Sequence, residues 1–233
     1  MPQTKTHWMI YGAYGYSGEL IAHEAVARGH RPMLAGRDAR RLRPLAEKLG
    51  LAWRVFGLDN TDAVTAALHD MSLVVHCAGP FSTTAQPMLA ACLQARTHYL
   101  DITGEIAVLE LARGLDATAR AAEVVLCPGT GFDVIPTDCL ARTLADELPG
   151  AVHLDLAFAG GKSLSPGTAK TTIEGLTRGV TTREHGHLRT HGAGRLLREI
   201  DSGRGPCQTT AFPWGDVATA YASTGIPNIR VFT

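Results

Sequence analysis

Seven residues near the start of the chain, Gly12-Ala13-Tyr14-Gly15-Tyr16-Ser17-Gly18, set three glycines at G-x-x-G-x-x-G spacing between a β-rich run and an amphipathic one. That pattern suits the binding of a pyrophosphate. A tight turn needs positive φ, the backbone must approach the phosphates without a Cβ in the way, and the N–H groups opening a helix must face the anion. The competing role is a close-packed strand-to-helix turn with no ligand. The position of the glycines in the first βαβ unit of the chain favours the anion cradle. Tyr14 stands where the second glycine of G-x-G-x-x-G would be, which points to dehydrogenase variants with a wider loop and away from the dinucleotide folds of flavoenzymes.

The end of the second predicted strand chooses between dinucleotides. An NAD site places Asp or Glu there to hold the ribose hydroxyls. Here the chain reads Ala35-Gly36-Arg37-Asp38, with Arg40 and Arg41 following. A guanidinium suits a 2′-phosphate, and Gly36 removes bulk that would exclude it. Asp38 competes as a ribose ligand but fits better as a helix cap. NADP(H) is therefore favoured over NAD(H), with Arg37 and Arg41 as the phosphate-side cations. Two more loops follow strands. Asp59 is placed either to accept from the adenine amino group or to cap the next helix. Cys77-Ala78-Gly79-Pro80-Phe81 offers small residues that let a cofactor pass the backbone, stiffened by Pro80. Cys77 has no reactive context and reads as a small buried residue.

These loops need a parallel sheet to hold them. Strands are predicted at His7–Tyr11, Arg31–Ala35, Ala52–Phe56, Leu73–Cys77, His98–Ile102 and Glu123–Cys127. Helical patterns lie between them, over Glu19–Arg28, from the Asp38 cap to Leu49, and over Asp62–His69, Ala85–Arg96 and Ile106–Ala122 with a break at Gly114. Pro136–Leu148 reads as a further helix with Pro in its first turn. Six strands with five crossovers make an α/β, Rossmann-like doubly wound sheet, assigned to residues 1–149. Beyond Leu148-Pro149-Gly150 the texture becomes that of a second, smaller α+β domain over 150–233. It has a strand at Val152–Ala157, a helix at Thr168–Leu176, β-structure over Val180–Ile200 turning near Gly186, and a strand at Asn228–Thr233. The chain ends inside that last strand, which suggests truncation.

Composition narrows the function. Lys plus Arg and Asp plus Glu are both 22, so no net field draws the chain to nucleic acid. The content of 45% hydrophobic and 19% charged residues suits a packed core, and the longest apolar stretches fall far short of a membrane span. Five scattered cysteines without a C-x-x-C argue against a disulfide framework or a zinc site and for a reducing, cytoplasmic setting. No tyrosine has a lysine four residues on, which excludes the Tyr-x-x-x-Lys of short-chain dehydrogenases. Gly161-Lys162-Ser163 lacks the first glycine of a P-loop, and no G-x-S-x-G is present. His185, His187 and His191 lack acidic or cysteine partners that would complete a ligand set, so no metal is expected. Val180–Arg204 carries a net +2. Arg183 and Arg189 there serve either as a rim for an anionic substrate or as part of a solvated β-face.

Taken together, Gly12–Gly18, Ala35–Asp38, Cys77–Phe81, Tyr99–Glu105 and Gly131-Phe132-Asp133-Val134-Ile135-Pro136 resemble the saccharopine dehydrogenase-like oxidoreductases. The similarity is greatest to the branch with the trans-acting enoyl reductases. Ser165-Pro166-Gly167-Thr168, Pro213-Trp214-Gly215-Asp216 and Ser223–Asn228 resemble that branch as well. The resemblance implies an NADP-binding Rossmann domain, a second α+β domain, and a cleft between them for the nicotinamide.

Hydride transfer then requires orientation, water exclusion and a proton source. Asp101, Thr103 and Glu105 follow the fifth strand and Asp133 the sixth. They are the candidates for ordering nicotinamide, substrate or a proton-relay water. The competing roles are loop bracing for Asp101 and Asp133 and a helix N-terminus for Glu105. Trp214 with Phe212 and Pro213 is placed to wall an apolar substrate or to fill core. The expected activity is NADPH-dependent reduction of a C=C (enoyl) or C=N bond in a small metabolite or acyl substrate. The alternative is a catalytically inactive NADP-binding sensor or scaffold. A homodimer is compatible with either.

Overall fold

The computed structural model of the protein describes residues 7–158, 179–201, 203 and 205–233. The helix expected at Thr168–Leu176, the Gly161-Lys162-Ser163 echo, the Ser165–Thr168 block and Arg204 lie outside the described residues. The chain forms two compact units. One comprises the chain up to Thr103 with Glu110–Thr130; the other comprises Gly104–Leu109 with Gly131–Thr233. The units thus part elsewhere than at 149/150, because the loops after the fifth and sixth strands and the helix beyond them pack with the later part of the chain.

The first unit alternates strand and helix: β1 (His7–Tyr11), α1 (Tyr16–Ala27), β2 (Met33–Gly36), α2 (Ala39–Leu49), β3 (Trp53–Val55), α3 (Thr61–Leu68), β4 (Met71–His76), α4 (Phe81–Ala95) and β5 (His98–Asp101). After α5 (Ile106–Gly114), whose residues are divided between the units, come α6 (Asp116–Ala122) and β6 (Leu126–Cys127). All strand pairs are parallel, in the order β3-β2-β1-β4-β5-β6. This is the doubly wound order, with its switch point between β1 and β4. Apolar residues of β1, β2, α1 and α2 (Ile10, Leu34, Ala22, Leu42, Leu45) close the core on one face.

Most elements fall where hydrophobic periodicity puts them, and Gly114 does separate two helices. The main shortfall is β6, expected from Glu123 onward. Glu123 has a left-handed φ of 58° and caps α6, while the Val125 N–H donates to His98 Nδ1. Only two residues are left for the strand. At the neighbouring loop Asp59 is not the helix cap. Asn60 is, accepting from the Ala63 N–H at 3.1 Å.

In the second unit, α7 (Ile135–Glu147) precedes β7 (His153–Ala157), β8 (Val180–Glu184), β9 (His187–His191), β10 (Leu197–Asp201), β11 (Pro206–Thr210), α8 (Asp216–Thr224) and β12 (Asn228–Phe232). The larger sheet runs β7-β12-β8-β9. β12 is parallel to β7 and antiparallel to β8, so the final stretch of sequence is an internal strand. Arg230 on β12 makes a bidentate pair with Asp155 on β7, both contacts at 2.8 Å. β8 and β9 join through His185-Gly186, both at positive φ, as a two-residue hairpin requires. Leu154, Leu156, Ile229 and Val231 from the sheet pack on Val217 and Ala220 of α8.

The rim role for Arg183 is not met. The side chain is 3% exposed, donates to the Val217 and Gly186 carbonyls at 2.9 Å each, and lies over the Tyr221 ring. Arg189 is exposed, and His191 contacts Glu184 at 2.8 Å. Among the described residues no helix is long and apolar enough to cross a membrane.

The two roles of the Asp59–Asn60 pair separate experimentally. Asn60→Ala should lower stability by about 1 kcal/mol in urea denaturation, whereas Asp59→Ala should leave it within about 0.5 kcal/mol.

Candidate functional site

The glycine loop closes on the switch point. Gly12 has φ 81°, and a Cβ there would stand 2.8 Å from the Ala78 nitrogen, so the loop after β1 touches the loop after β4. A Cβ on Gly18 would lie 2.3 Å from the Gly12 carbonyl oxygen, which lets α1 start directly beneath the turn. Gly15 is the N-cap of α1 and supplies no side-chain cap, and a Cβ there would meet only the Gly12 and Cys77 carbonyl oxygens at 3.2 and 4.0 Å. The helix thus opens without a side chain of its own over its first N–H groups, as a pyrophosphate cradle requires. Tyr16 and Ser17 begin α1, and the Tyr16 ring is exposed.

At the end of β2 the space beside Gly36 is taken by the protein itself. A Cβ on Gly36 would stand 2.5 Å from Tyr14 Cε1. Arg41 stacks on that Tyr14 ring, 4.6 Å from its centroid, and donates to the Tyr14 carbonyl at 3.2 Å. Gly36 therefore admits Tyr14, and Arg41 braces the glycine loop. Asp38 caps α2, accepting from the Arg40 N–H at 2.9 Å. Arg37 is exposed and Asp59 is exposed near it, both within electrostatic reach of Tyr11. Arg40, Arg41 and Lys48 line an open groove of about 410 Å³ with Tyr14 and Glu19.

The loop after β4 rests on a buried histidine that sequence reading passed over. His76 is fully buried among the rings of Tyr11, Phe81 and Tyr99. Its Nε2 lies 3.0 Å from Thr84 Oγ1, which donates to the Ala78 carbonyl at 2.7 Å. Burial pushes His76 down to about 3, so the ring is neutral and acts as a prop under Ala78–Phe81. Gly79–Pro80 is a cis peptide, and Pro80 is the N-cap of α4. The Cys77 thiol is raised to about 12, by burial first and then by Asp101, and is no nucleophile.

Asp101 is fully buried and accepts from Tyr99 Oη at 2.6 Å, the Thr103 N–H at 2.9 Å and the Gly129 N–H at 2.8 Å. Its own carbonyl receives the Thr130 N–H and hydroxyl. This geometry clamps the ends of β5 and β6 together. Of the two roles raised for Asp101, it serves loop bracing, and Thr103 is its partner. Glu105 is half-buried, and its carbonyl accepts from Val108 and Leu109 in the first turn of α5.

Glu105 and Asp133 belong to the second unit, where three segments meet. Trp214 Nε1 donates to the Asp133 carbonyl. A Cβ on Gly215 would stand 3.0 Å from Leu109 Cδ1 and Val134 Cγ2 and 3.2 Å from the Gly104 carbonyl. Residues 104–109, 131–134 and 214–216 are thereby packed on one another. Trp214 stacks against Phe158 and Phe212, with centroids 4.6 and 5.7 Å away. Asp133 is half-buried, and burial raises its pKa. Directly after Gly215, Asp216 is fully buried, and among the described residues neither carboxylate oxygen has a hydrogen-bond partner. Thr137 and the backbone amide of Asp216 favour its charged form, although the Thr137 hydroxyl donates to the Val134 carbonyl. Burial pushes Asp216 up to about 6, with Asp138 and Asp133 adding to the rise.

Comparison with known proteins places the chain in a family. Residues 8–127 match the family of the saccharopine dehydrogenase NADP binding domain. The chain belongs to the saccharopine dehydrogenase-like family. NADP(H) is accordingly its dinucleotide. It is similar to a trans-acting enoyl reductase of Mycobacterium ulcerans, 35% identical over 141 residues, which is 56% of this chain and 33% of that protein. A putative trans-acting enoyl reductase of Mycobacterium tuberculosis is 30% identical over 187 residues, 72% of this chain and 44% of that one. The chain thus spans about a third to under half the length of these relatives. The fold is shared with saccharopine dehydrogenase (L-Glu forming) of Saccharomyces cerevisiae, at TM-score 0.66 and 14% identity, over 97% of this chain and 54% of that one.

In this saccharopine dehydrogenase-like chain the proposed cofactor residues Gly12–Gly18, Arg37, Arg41, Asp59 and Cys77–Phe81 all lie in the first unit, in the loops after β1 to β4 and the first turns of α1, α2 and α4. Of the proposed catalytic residues, Asp101 and Thr103 fall in the first unit and Glu105 and Asp133 in the second. Asp216 had no place among the expected site residues. Its signal was the Pro213-Trp214-Gly215-Asp216 block, but an acid in the first turn of a helix ordinarily reads as a dipole partner.

Two substitutions probe these assignments. Asp101→Asn should cost about 2–3 kcal/mol in urea denaturation, because an amide nitrogen would face groups that donate to a carboxylate. The carboxyl of Asp216 is held above its ordinary value, so its contribution to stability is present at pH 4 and fades as pH rises through about 6. Stability should fall by up to about 3 kcal/mol between those limits, and Asp216→Asn should flatten that part of the profile.

Proposed function

We propose that the chain carries the NADPH-binding and substrate-side elements of a reductase acting on a C=C (enoyl) or C=N bond of a small metabolite or acyl substrate. The observation that carries this reading is the cradle at the β1/β4 switch point. Gly12 and Gly18 bring backbone and helix within reach of a pyrophosphate, and Arg37 is exposed at the end of β2 while Asp38 is engaged as a cap. The names of the mycobacterial relatives support the enoyl class.

Bound NADPH supplies the hydride. Under this reading the α1 N-terminus receives the pyrophosphate and Arg37 pairs with the 2′-phosphate. Arg41 acts through Tyr14, fixing the loop. Ala78–Phe81, propped on His76, leaves room for the cofactor to pass close to the backbone. Asp101 sets the β5 and β6 loop ends through its donors without moving a proton. Asp133 offers the proton, and the Trp214 face with Phe158 and Phe212 lines an apolar substrate group.

Loss of NADPH absorbance, followed with enoyl thioesters and cyclic imines, tests the activity. Steady oxidation with either class is expected; tight NADPH binding without turnover across both would replace the reductase by an NADP-binding sensor. For the cofactor contact, Arg37→Ala should weaken NADPH binding about tenfold, roughly 1.4 kcal/mol, and leave NADH unchanged in calorimetric titration. An equal loss for both dinucleotides would remove Arg37 from the phosphate.

A further inference from the structure

The groove between α1 and α2, wholly within the first unit, carries a charge that the fold does not use. It has a volume of about 410 Å³ and three cations, Arg40, Arg41 and Lys48. Against them stands one acid, Glu19, which also contacts His23 at 3.8 Å. Pro44 and the buried Leu45 give it an apolar floor, and neither Arg37 nor a glycine of the turn borders it. Other arginines on helices of this chain are offset locally. Arg28, Arg43, Arg120 and Arg142 each meet a carboxylate four residues away. Arg40 and Lys48 have no such neighbour. Three and four residues from Arg40 stand Gly36, Arg37, Arg43 and Pro44; from Lys48, Pro44, Leu45, Leu51 and Ala52. Like charges gathered without an acid repel one another, and a bound anion relieves that repulsion. Arg41 is already fixed in place, stacked on the Tyr14 ring and donating to the Tyr14 carbonyl, with most of its N–H donors unspent.

We propose that this groove binds a small free phosphomonoester, of sugar-phosphate size, separately from the dinucleotide. Its surplus of two positive charges matches a phosphomonoester, which carries about −1.5 to −2 at neutral pH. Arg41 is the fixed contact, since a guanidinium suits phosphate oxygens, and Arg40 and Lys48 complete the charge. Arg41 and Lys48 stand two turns apart, about 10 Å along α2. Pro44 and Leu45 lie between them, so the groove holds an organic body beside the phosphate. Because Arg41 also fastens Tyr14, the occupant borders the glycine turn without entering the pyrophosphate cradle. This site is independent of the reductase reading.

Glucose 6-phosphate, titrated into the intact chain saturated with NADPH at constant ionic strength, tests the site through the amide shifts of ¹⁵N-labelled protein. Saturable shifts around Tyr14, Glu19 and Lys48 are expected, with a Kd of about 1 mM or below. Arg40→Ala and Lys48→Gln, both at exposed positions, should each weaken that binding about tenfold and leave NADPH binding unchanged. Arg37→Ala should leave the sugar phosphate unaffected, and free glucose should give no shifts. The same phosphate chemistry could come from the cofactor. Displacement of glucose 6-phosphate by NADPH, or a loss of NADPH but not NADH binding in Arg40→Ala, assigns the groove to the 2′-phosphate and overturns the separate site. No saturable shift up to about 10 mM, or an equal response to glucose, overturns phosphate binding altogether. The titration requires no turnover. A chain that binds the sugar phosphate yet never oxidises NADPH defeats only the reductase reading, so the two failures are distinguishable.

Discussion

Two loops of backbone meet at the switch point of the parallel sheet at a separation that no side chain could share. Gly12, in a left-handed conformation, lies against Ala78, and Gly18 lies under the Gly12 carbonyl, so β1, α1 and the loop after β4 are drawn into one contact. Beside that contact α1 opens at Gly15 with no side-chain cap over its first N–H groups. The rest of the first unit supports it. Tyr14 leaves the loop to cover Gly36, Arg41 fastens Tyr14, and His76 props the partner loop from beneath. Each device fixes backbone around the glycine turn.

Asp101, Asp133 and Asp216 stand in different surroundings. Asp101 faces two backbone N–H groups and a phenol, a setting that satisfies a charge and fixes two loops. Asp133 faces burial, and Asp216 faces burial with Asp138 and Asp133 adding to it, settings that favour the protonated form. Three aspartates that look equivalent along the chain are sorted by what surrounds them. Hydrogen-bond donors hold a carboxylate charged, whereas burial favours its protonated form.

The second unit reads as a platform for one turn. Its sheet and α8 share an aliphatic core, and the Trp214-Gly215-Asp216 turn at the head of α8 is pressed against residues 104–109 and 131–134. Arg183, which charge patterning would put on a surface, is inside that platform, with its guanidinium on carbonyls and an aromatic face. Count of charge along a segment says nothing about which charges a hairpin turns inward.

Residue types and their spacing alone set the strand and helix alternation, the glycine turn, the Asp38 cap and the dinucleotide class, because each depends on local backbone demands or a period that residue types reveal. They also carried the family, since several blocks recur in order. They did not determine that Asn60 rather than Asp59 caps α3, that Gly36 makes room for Tyr14, or that Asp101 braces while Asp216 lies buried without a partner among the described residues. Those are decided by contacts between residues distant in the chain. The ionisation of a carboxyl depends on the donors and solvent around it, and only tertiary structure brings Trp214, Gly215 and Asp216 to the loop that carries Asp133.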